Sequence, residues 1–178
     1  MMVEVDDCFG ADVRSAHCAI FASLGRWSCA QSPNGFQPCG LCVADRDRSR
    51  RFYEELLGFQ FWWDLDLPDE GTAALLQLDG PIGVRATYLV RDGFVLELID
   101  YSKRDATAGP QRVMDEVGLT HMSLSVSRLA DVLAQVESLG GAVIREATSE
   151  HFAMIRDPDG QLIELLPDTW LANLPPKP

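Results

Sequence analysis

The chain has 178 residues, 47% of them hydrophobic, enough for one ordinary domain or two tightly packed small modules around a buried core. Its 15 Lys and Arg stand against 27 Asp and Glu, and the resulting charge of -12 opposes phosphate backbones and anionic lipid, so nucleic acid and membrane surfaces are excluded as expected partners. No apolar run approaches the roughly 20 residues that a bilayer-spanning helix needs.

Residues 1–36 have no sustained periodicity and end in the turn-forming run Gln31-Ser-Pro-Asn-Gly35, so they read as a loosely packed or disordered extension. The stretch Ala16 to Gly25 has some character of a secretory core, but it follows acidic Glu4, Asp6 and Asp7, where a signal peptide carries Lys or Arg. The chain therefore reads as cytoplasmic. Cys8, Cys18, Cys29, Cys39 and Cys42 are odd in number and confined to the first quarter, which does not make a disulfide framework. Cys39-Gly-Leu-Cys42 has CxxC spacing, yet it sits on a predicted strand with no second pair downstream.

From Cys39 onward a rhythm sets in. Cys39 to Ala44 is a short apolar strand. Asp45 or Asp47 then offers a cap to a helix through Arg50-Arg-Phe-Tyr-Glu-Glu-Leu-Leu57, which Gly58 can end in the left-handed conformation. Phe59 to Trp63, Ala73 to Leu78, Val84 to Val90 and Phe94 to Ile99 read as strands separated by Asp, Pro and Gly turns. After a linker over 101–118, the pattern returns. A strand from His121 to Val126 leads into a helix from Arg128 to Leu139 capped by Ser127, and Gly140-Gly141 ends it. Strands follow at Ala142 to Ile144, Phe152 to Ile155 and Gln161 to Leu166, and residues 168–178 form a tail. The expected fold is α+β: two repeated βαβββ modules, 37–100 and 119–167, forming a curved mixed sheet around a cleft.

Alternate residues of a strand share a face, so Pro38, Gly40 and Cys42 match His121, Ser123 and Ser125 of the second copy. Each copy also ends with a glutamate inside an apolar strand, Glu97 between Leu96 and Leu98, and Glu164 between Ile163 and Leu165. A carboxylate among leucines is costly to bury unless it is paired or coordinated. His121, Glu97 and Glu164, brought to a common centre by two symmetric modules, would supply one imidazole and two carboxylates, a donor set suited to a divalent first-row cation such as Mn, Ni, Co, Fe or Zn.

The strings Val43-Ala-Asp-Arg-Asp-Arg-Ser-Arg-Arg-Phe-Tyr-Glu-Glu-Leu-Leu-Gly-Phe59, Gly118-Leu-Thr-His-Met-Ser-Leu-Ser-Val126 and Arg156-Asp-Pro-Asp-Gly-Gln-Leu-Ile-Glu-Leu165 resemble the vicinal oxygen chelate superfamily. That group includes glyoxalases, methylmalonyl-CoA epimerases, extradiol dioxygenases and the bleomycin-binding and fosfomycin-modifying resistance proteins. The resemblance implies metal ligands at Pro38, Glu97, His121 and Glu164, of which Pro38 has no donor. Gln37 turns to the opposite face, and Cys42 is a displaced substitute on the correct one. Two outcomes stay open: a centre of three protein ligands with positions free for water and substrate, or a module that has lost its metal and kept the cleft.

With the metal, the resemblance implies a lyase or isomerase of glyoxalase or epimerase type. It would abstract a proton next to a metal-chelated carbonyl of a small molecule, with Glu97 or Glu164 as base. Without it, the chain would be a drug- or metabolite-binding protein, with Trp62 and Trp63 beside carboxylates to receive a flat or cationic ligand. A dioxygenase is the lesser alternative, since Pro38 removes a histidine. His151 is a possible lining residue, Lys103, Arg104 and Arg112 are linker cations able to grip an anion, and the resemblance makes a homodimer one possible assembly.

Overall fold

The computed structural model describes residues 38–175; the extension at 1–36, with Cys8, Cys18 and Cys29, lies outside the described residues. The first module runs β1 (Cys39–Cys42), α1 (Arg46–Arg51, continued by a π-helical turn over Phe52–Leu56), β2 (Gln60–Asp66), α2 (Asp69–Leu76), β3 (Val84–Arg91) and β4 (Phe94–Tyr101). Its sheet has the order β1-β4-β3-β2, with β1 parallel to β4 and the other pairs antiparallel. A parallel pair needs a long crossover, and α1 with the β2–β3 excursion provides it.

Local chemistry explains these elements. The Asp45 carboxylate accepts the Arg48 N–H at 2.9 Å and so caps α1, as the sequence suggested. Phe52, Tyr53, Leu56 and Leu57 bury one face of it, and Gly58 leaves it at φ +71°. Asp92 (φ 51°) and Gly93 (φ 79°) are both left-handed, the two-residue turn that matches the twist of the β3–β4 hairpin. The strand expected over Ala73 to Leu78 is instead the end of α2. Ala73, Ala74, Leu75 and Leu76 are strong helix formers, and left-handed Gln77 stops them.

The second module runs β5 (His121–Val126), α3 (Leu129–Val136, tightened into a 3-10 turn over Glu137–Leu139), β6 (Ala142–Thr148), β7 (Ala153–Arg156) and β8 (Leu162–Pro167). Its sheet order, β5-β8-β7-β6, repeats that of the first module strand for strand. Ser127 does not cap α3: Arg128 stands at that position, with no side-chain hydrogen bond. The chain then makes a 3-10 helix over Asp168–Asn173. No helix among the described residues is long and apolar enough to cross a membrane.

One hydrophobic core joins the modules. Leu89, Leu96 and Leu98 from the first sheet meet Ile155, Ile163 and Leu165 from the second, with Phe52, Tyr53 and Val136 of the helices between them. Polar clamps fix the junction. Tyr53 Oη donates to Asp157 Oδ2 at 2.9 Å, and Asp159 accepts from Ser49 Oγ at 3.0 Å and from Arg48 Nη2 at 2.6 Å. Arg91 donates to the carbonyls of Leu57 and Ser125, one in each module. Burial pushes the Asp157 carboxyl up from its ordinary value, against the opposing pull of the Gln161 N–H, the Tyr53 hydroxyl and the Asp159 N–H.

Candidate active site

Because the inward faces make the core, the alternate residues face outward in two matching rows. In the first sheet, Gly40, Glu97, Tyr88 and Trp63 are successive cross-strand partners on β1, β4, β3 and β2. In the second sheet, Ser123, Glu164, Met154 and Ile144 occupy the same places. The duplication therefore extends to register: Glu97 and Glu164 are equivalent to the residue.

The two carboxylates have different surroundings. Glu97 Oε1 accepts from the Tyr88 hydroxyl at 2.7 Å, and the Tyr88 ring stacks on Trp63 with centroids 4.5 Å apart and planes 10° from parallel. Burial, and then the hydrogen bond to Glu97, raise the Tyr88 phenol above its ordinary range, so Tyr88 remains a donor. Leu65, Ala86 and Tyr88, with Trp63 and Val95 against them, form a small apolar cluster on this outward face.

Glu164 Oε2 accepts from Ser123 Oγ at 2.6 Å and lies 3.7 Å from His121 Nε2. The other imidazole nitrogen, Nδ1, is 2.9 Å from Thr120 Oγ1. In the tautomer in which the Thr120 hydroxyl donates to Nδ1, Nε2 carries the proton beside the carboxylate. His121 and Glu164 are 26% and 31% exposed, so both are reachable from solvent yet shielded from much of its screening.

Glu164 and Ser123 open into a cavity of about 550 Å³. Its walls are Phe152, Leu166, Trp170, Leu171 and Leu174, the last three supplied by the C-terminal 3-10 helix and the residue after it. His151 also lines this cavity, the role the sequence offered it, with Nε2 3.4 Å from Glu150. A second cavity of about 730 Å³ lies at the module junction, between Leu57, Arg91, Ser125 and Asp168. Glu97 lines neither of the two.

The sequence expected His121, Glu97 and Glu164 to share one metal. One chain brings His121 and Glu164 together but leaves Glu97 on the other sheet with Tyr88. Among the described residues no group of three or more His, Cys, Asp or Glu is arranged to hold a metal ion. The Tyr88 and Ser123 hydroxyls each donate to one of the two carboxylates that lie among leucines. Two donors fall short of a self-contained centre, so the donor set of a single chain does not fit the metal.

Pro38 lies just ahead of β1 and contributes no donor. Cys42 is on the outward face, where burial, followed by the charges of Asp159 and Asp100, raises its thiol. Cys39, on the opposite face, points with the core residues, which leaves the CxxC pair apart. Two of the linker cations are occupied elsewhere, Lys103 pairing with Asp69 at 2.7 Å and Arg104 Nη1 donating to the Asp79 carbonyl at 3.4 Å, whereas Arg112 Nη1 is buried with no hydrogen-bond partner.

Sequence reasoning missed Tyr88 and Trp170. Tyr88 was recoverable, since counting back from the Asp92-Gly93 turn sets Arg91 against Phe94 and Tyr88 against Glu97. Trp170 had no such signal, because six residues of 3-10 helix are too short a run to leave a periodicity to read.

Residues 35–165 match the family model described as Glyoxalase/Bleomycin resistance protein/Dioxygenase superfamily. A comparison with curated proteins found no match. Among solved structures, a glyoxalase family protein from Bacillus cereus is 16% identical, covering 78% of this chain and 97% of its own, with a TM-score of 0.64. The trypanothione-dependent glyoxalase I of Leishmania major is 23% identical over 75% of this chain and 86% of its own, with a TM-score of 0.54. The fosfomycin resistance protein FosX of Listeria monocytogenes, complexed with Mn(II) and sulfate, is 12% identical over 75% and 92%, with a TM-score of 0.52. At these identities the structures speak for the fold alone. With the repeated βαβββ modules, the matched outward rows and a family match across most of its length, this chain belongs to the glyoxalase/bleomycin resistance protein/dioxygenase superfamily.

Proposed function

We propose that the protein is a lyase or isomerase that moves a proton next to the carbonyl of a small molecule, with Glu164 as the base. One observation carries the proposal: Glu164, flanked by Ser123 and His121, is the carboxylate that opens into the 550 Å³ cavity. The Glu164 carboxylate takes a proton from the carbon beside the carbonyl. The enolate oxygen accepts a hydrogen bond from His121 Nε2–H, and the protonated Glu164 returns its proton to the same carbon, so the step balances and is redox-neutral. The reading places the protein in the cytoplasm, where thiols such as Cys39 and Cys42 stay reduced.

A divalent ion would supply Lewis-acid polarisation of the carbonyl, but His121 and Glu164 are only two donors. A homodimer that set the Glu97 of one chain against the His121 and Glu164 of another would provide the third, so metal dependence and dimerisation form one question. The test uses 2-hydroxy-1-phenylethanone in deuterium oxide, with exchange at C2 followed by NMR, with and without Mn(II). Wild type is expected to accelerate exchange and Glu164→Gln to lose about 10²-fold or more. Exchange at the buffer rate in wild type under both conditions would sink the proposal.

The second reading, a metal-free binding protein, is favoured by the Trp63–Tyr88 stack beside Glu97, a platform for a flat or cationic ligand. It predicts no metal uptake, and ligand binding that depends on Tyr88 and not on Glu164.

A further inference from the structure

The cavity around Glu164 is uneven in its chemistry. One end carries Glu164 and Ser123, while the walls are Phe152, Leu166 and the apolar side chains of the C-terminal segment. Phe152 and Trp170 are 45% and 50% exposed, unusual for large rings on a small domain unless something covers them. No Lys or Arg lines the cavity; of the nearby imidazoles, His151 lies beside Glu150, and His121, outside the lining, lies beside Glu164.

Nearby cations do not fill that gap: Arg112, whose Nη1 is buried without a hydrogen-bond partner, is not among the residues that line the cavity. Arg156 shares the outward face of β7 with Met154, but its Nη1 donates to the Gly160 carbonyl at 2.9 Å and its Nη2 to the Arg112 carbonyl at 3.0 Å. Arg145, further out, pairs with Glu137 at 3.2 Å. A carboxylate, phosphonate or phosphate in the cavity would therefore meet Glu164 with no counter-charge, under partial desolvation that strengthens the repulsion.

Resting on the proton-transfer reading above, we infer that the substrate is a small molecule with an apolar, preferably aromatic body and no negative charge, and that Trp170 seats that body while the carbonyl end reaches Glu164. The cavity volume suits a drug-sized molecule of this type. The inference separates this chain's substrates from anionic ones, for which a site of this kind would need a basic side chain. Trp170 acts as a specificity residue from a segment outside the repeated modules.

The experiment is a charge series on one framework: 2-hydroxy-1-phenylethanone and its para-carboxylate and para-trimethylammonium derivatives, with binding measured by equilibrium dialysis at low salt. Full-length wild type, Trp170→Ala, Trp170→Phe and Glu164→Gln are compared. The neutral and cationic compounds are expected to bind roughly ten-fold more tightly than the carboxylate, the size of one unit-charge interaction in a half-solvated site. Trp170→Ala should weaken the neutral compound about ten-fold while Trp170→Phe retains most of its binding, and Glu164→Gln should erase the preference among charges.

Equal or tighter binding of the carboxylate would overturn the inference, as would no saturable binding of any of the three. Unchanged binding in Trp170→Ala would also overturn it, including the case in which the variant alters only the oligomeric state and so shows that a second copy covers the ring. Deuterium exchange on the same three compounds keeps the two ideas apart. Charge-selective binding without exchange sinks the reaction and leaves the substrate class, whereas exchange that favours the carboxylate does the reverse.

Discussion

Tyr53→Phe removes one oxygen from the junction between the modules and leaves the rest of the packing in place. Tyr53 is fully buried, with its ring edge-on to Phe52 and Phe59 at centroid distances of 5.6 Å, contacts a phenylalanine would keep. What disappears is the 2.9 Å donation to Asp157 Oδ2; Oδ1 still accepts the N–H groups of Asp159 and Gln161. A hydrogen bond to a buried charged group contributes about 1.5–3 kcal/mol, and a neutral one about 0.5–1.5 kcal/mol. The Tyr53 bond holds the Asp157 carboxyl down against the upward push of burial, so losing it raises that carboxyl further in the folded state.

The sign of the pH effect follows. A carboxyl raised in the folded state binds its proton more tightly there, so stability falls as pH rises from the ordinary carboxylate value through the raised one. Tyr53→Phe should thus cost about 0.5–1.5 kcal/mol below about pH 4 and about 1.5–3 kcal/mol at pH 7. For a chain of this size the neutral-pH loss corresponds to roughly 3–12 °C in Tm. Urea unfolding at the two pH values checks it. A cost below about 0.5 kcal/mol at pH 7, or the same cost at both pH values, would refute the reasoning.

Asp157→Asn keeps one acceptor oxygen for the two backbone N–H groups and removes the buried charge, so its stability should vary less than that of wild type as pH rises above the ordinary carboxylate range. Parallel unfolding curves across that range would contradict this. At Gly141, an added Cβ would lie 2.6 Å from the Arg156 carbonyl oxygen and 2.6 Å from Phe52 Cε2, so Gly141→Ala should cost about 1–3 kcal/mol in chemical denaturation. Tyr88→Phe strips Glu97 of its donor while keeping the stack on Trp63. It should destabilise by about 1–3 kcal/mol, as chemical denaturation of the purified variant would show.

Much of this architecture was legible because each signal was local. Asp45 capped α1, Gly58 ended it, and the Asp92-Gly93 turn fixed a hairpin register that sets Glu97 against Tyr88. Repetition of Leu-Glu-Leu and Ile-Glu-Leu then located Glu97 and Glu164 at equivalent places. Ala73 to Leu78 was misread because a short apolar run does not distinguish strand from helix when its residues favour helix. The surroundings of the two carboxylates were not legible for a different reason. Sequence shows that a carboxylate lies among leucines, but not that the Tyr88 or Ser123 hydroxyl reaches it across the sheet, nor which sheet faces which cavity. The Trp170 wall lies outside both repeats, where no periodic comparison could point to it.

The most direct measurement is deuterium exchange at C2 of 2-hydroxy-1-phenylethanone with wild type, Glu164→Gln, Glu97→Gln and His121→Ala, each with metal content determined on the same sample. Glu164 as base predicts accelerated exchange in wild type that falls about 10²-fold or more in Glu164→Gln. If the chain acts without a completed metal centre, Glu97→Gln retains the activity; if a second copy completes the centre, metal and activity disappear together in Glu97→Gln. Wild-type activity that survives Glu164→Gln would contradict the account.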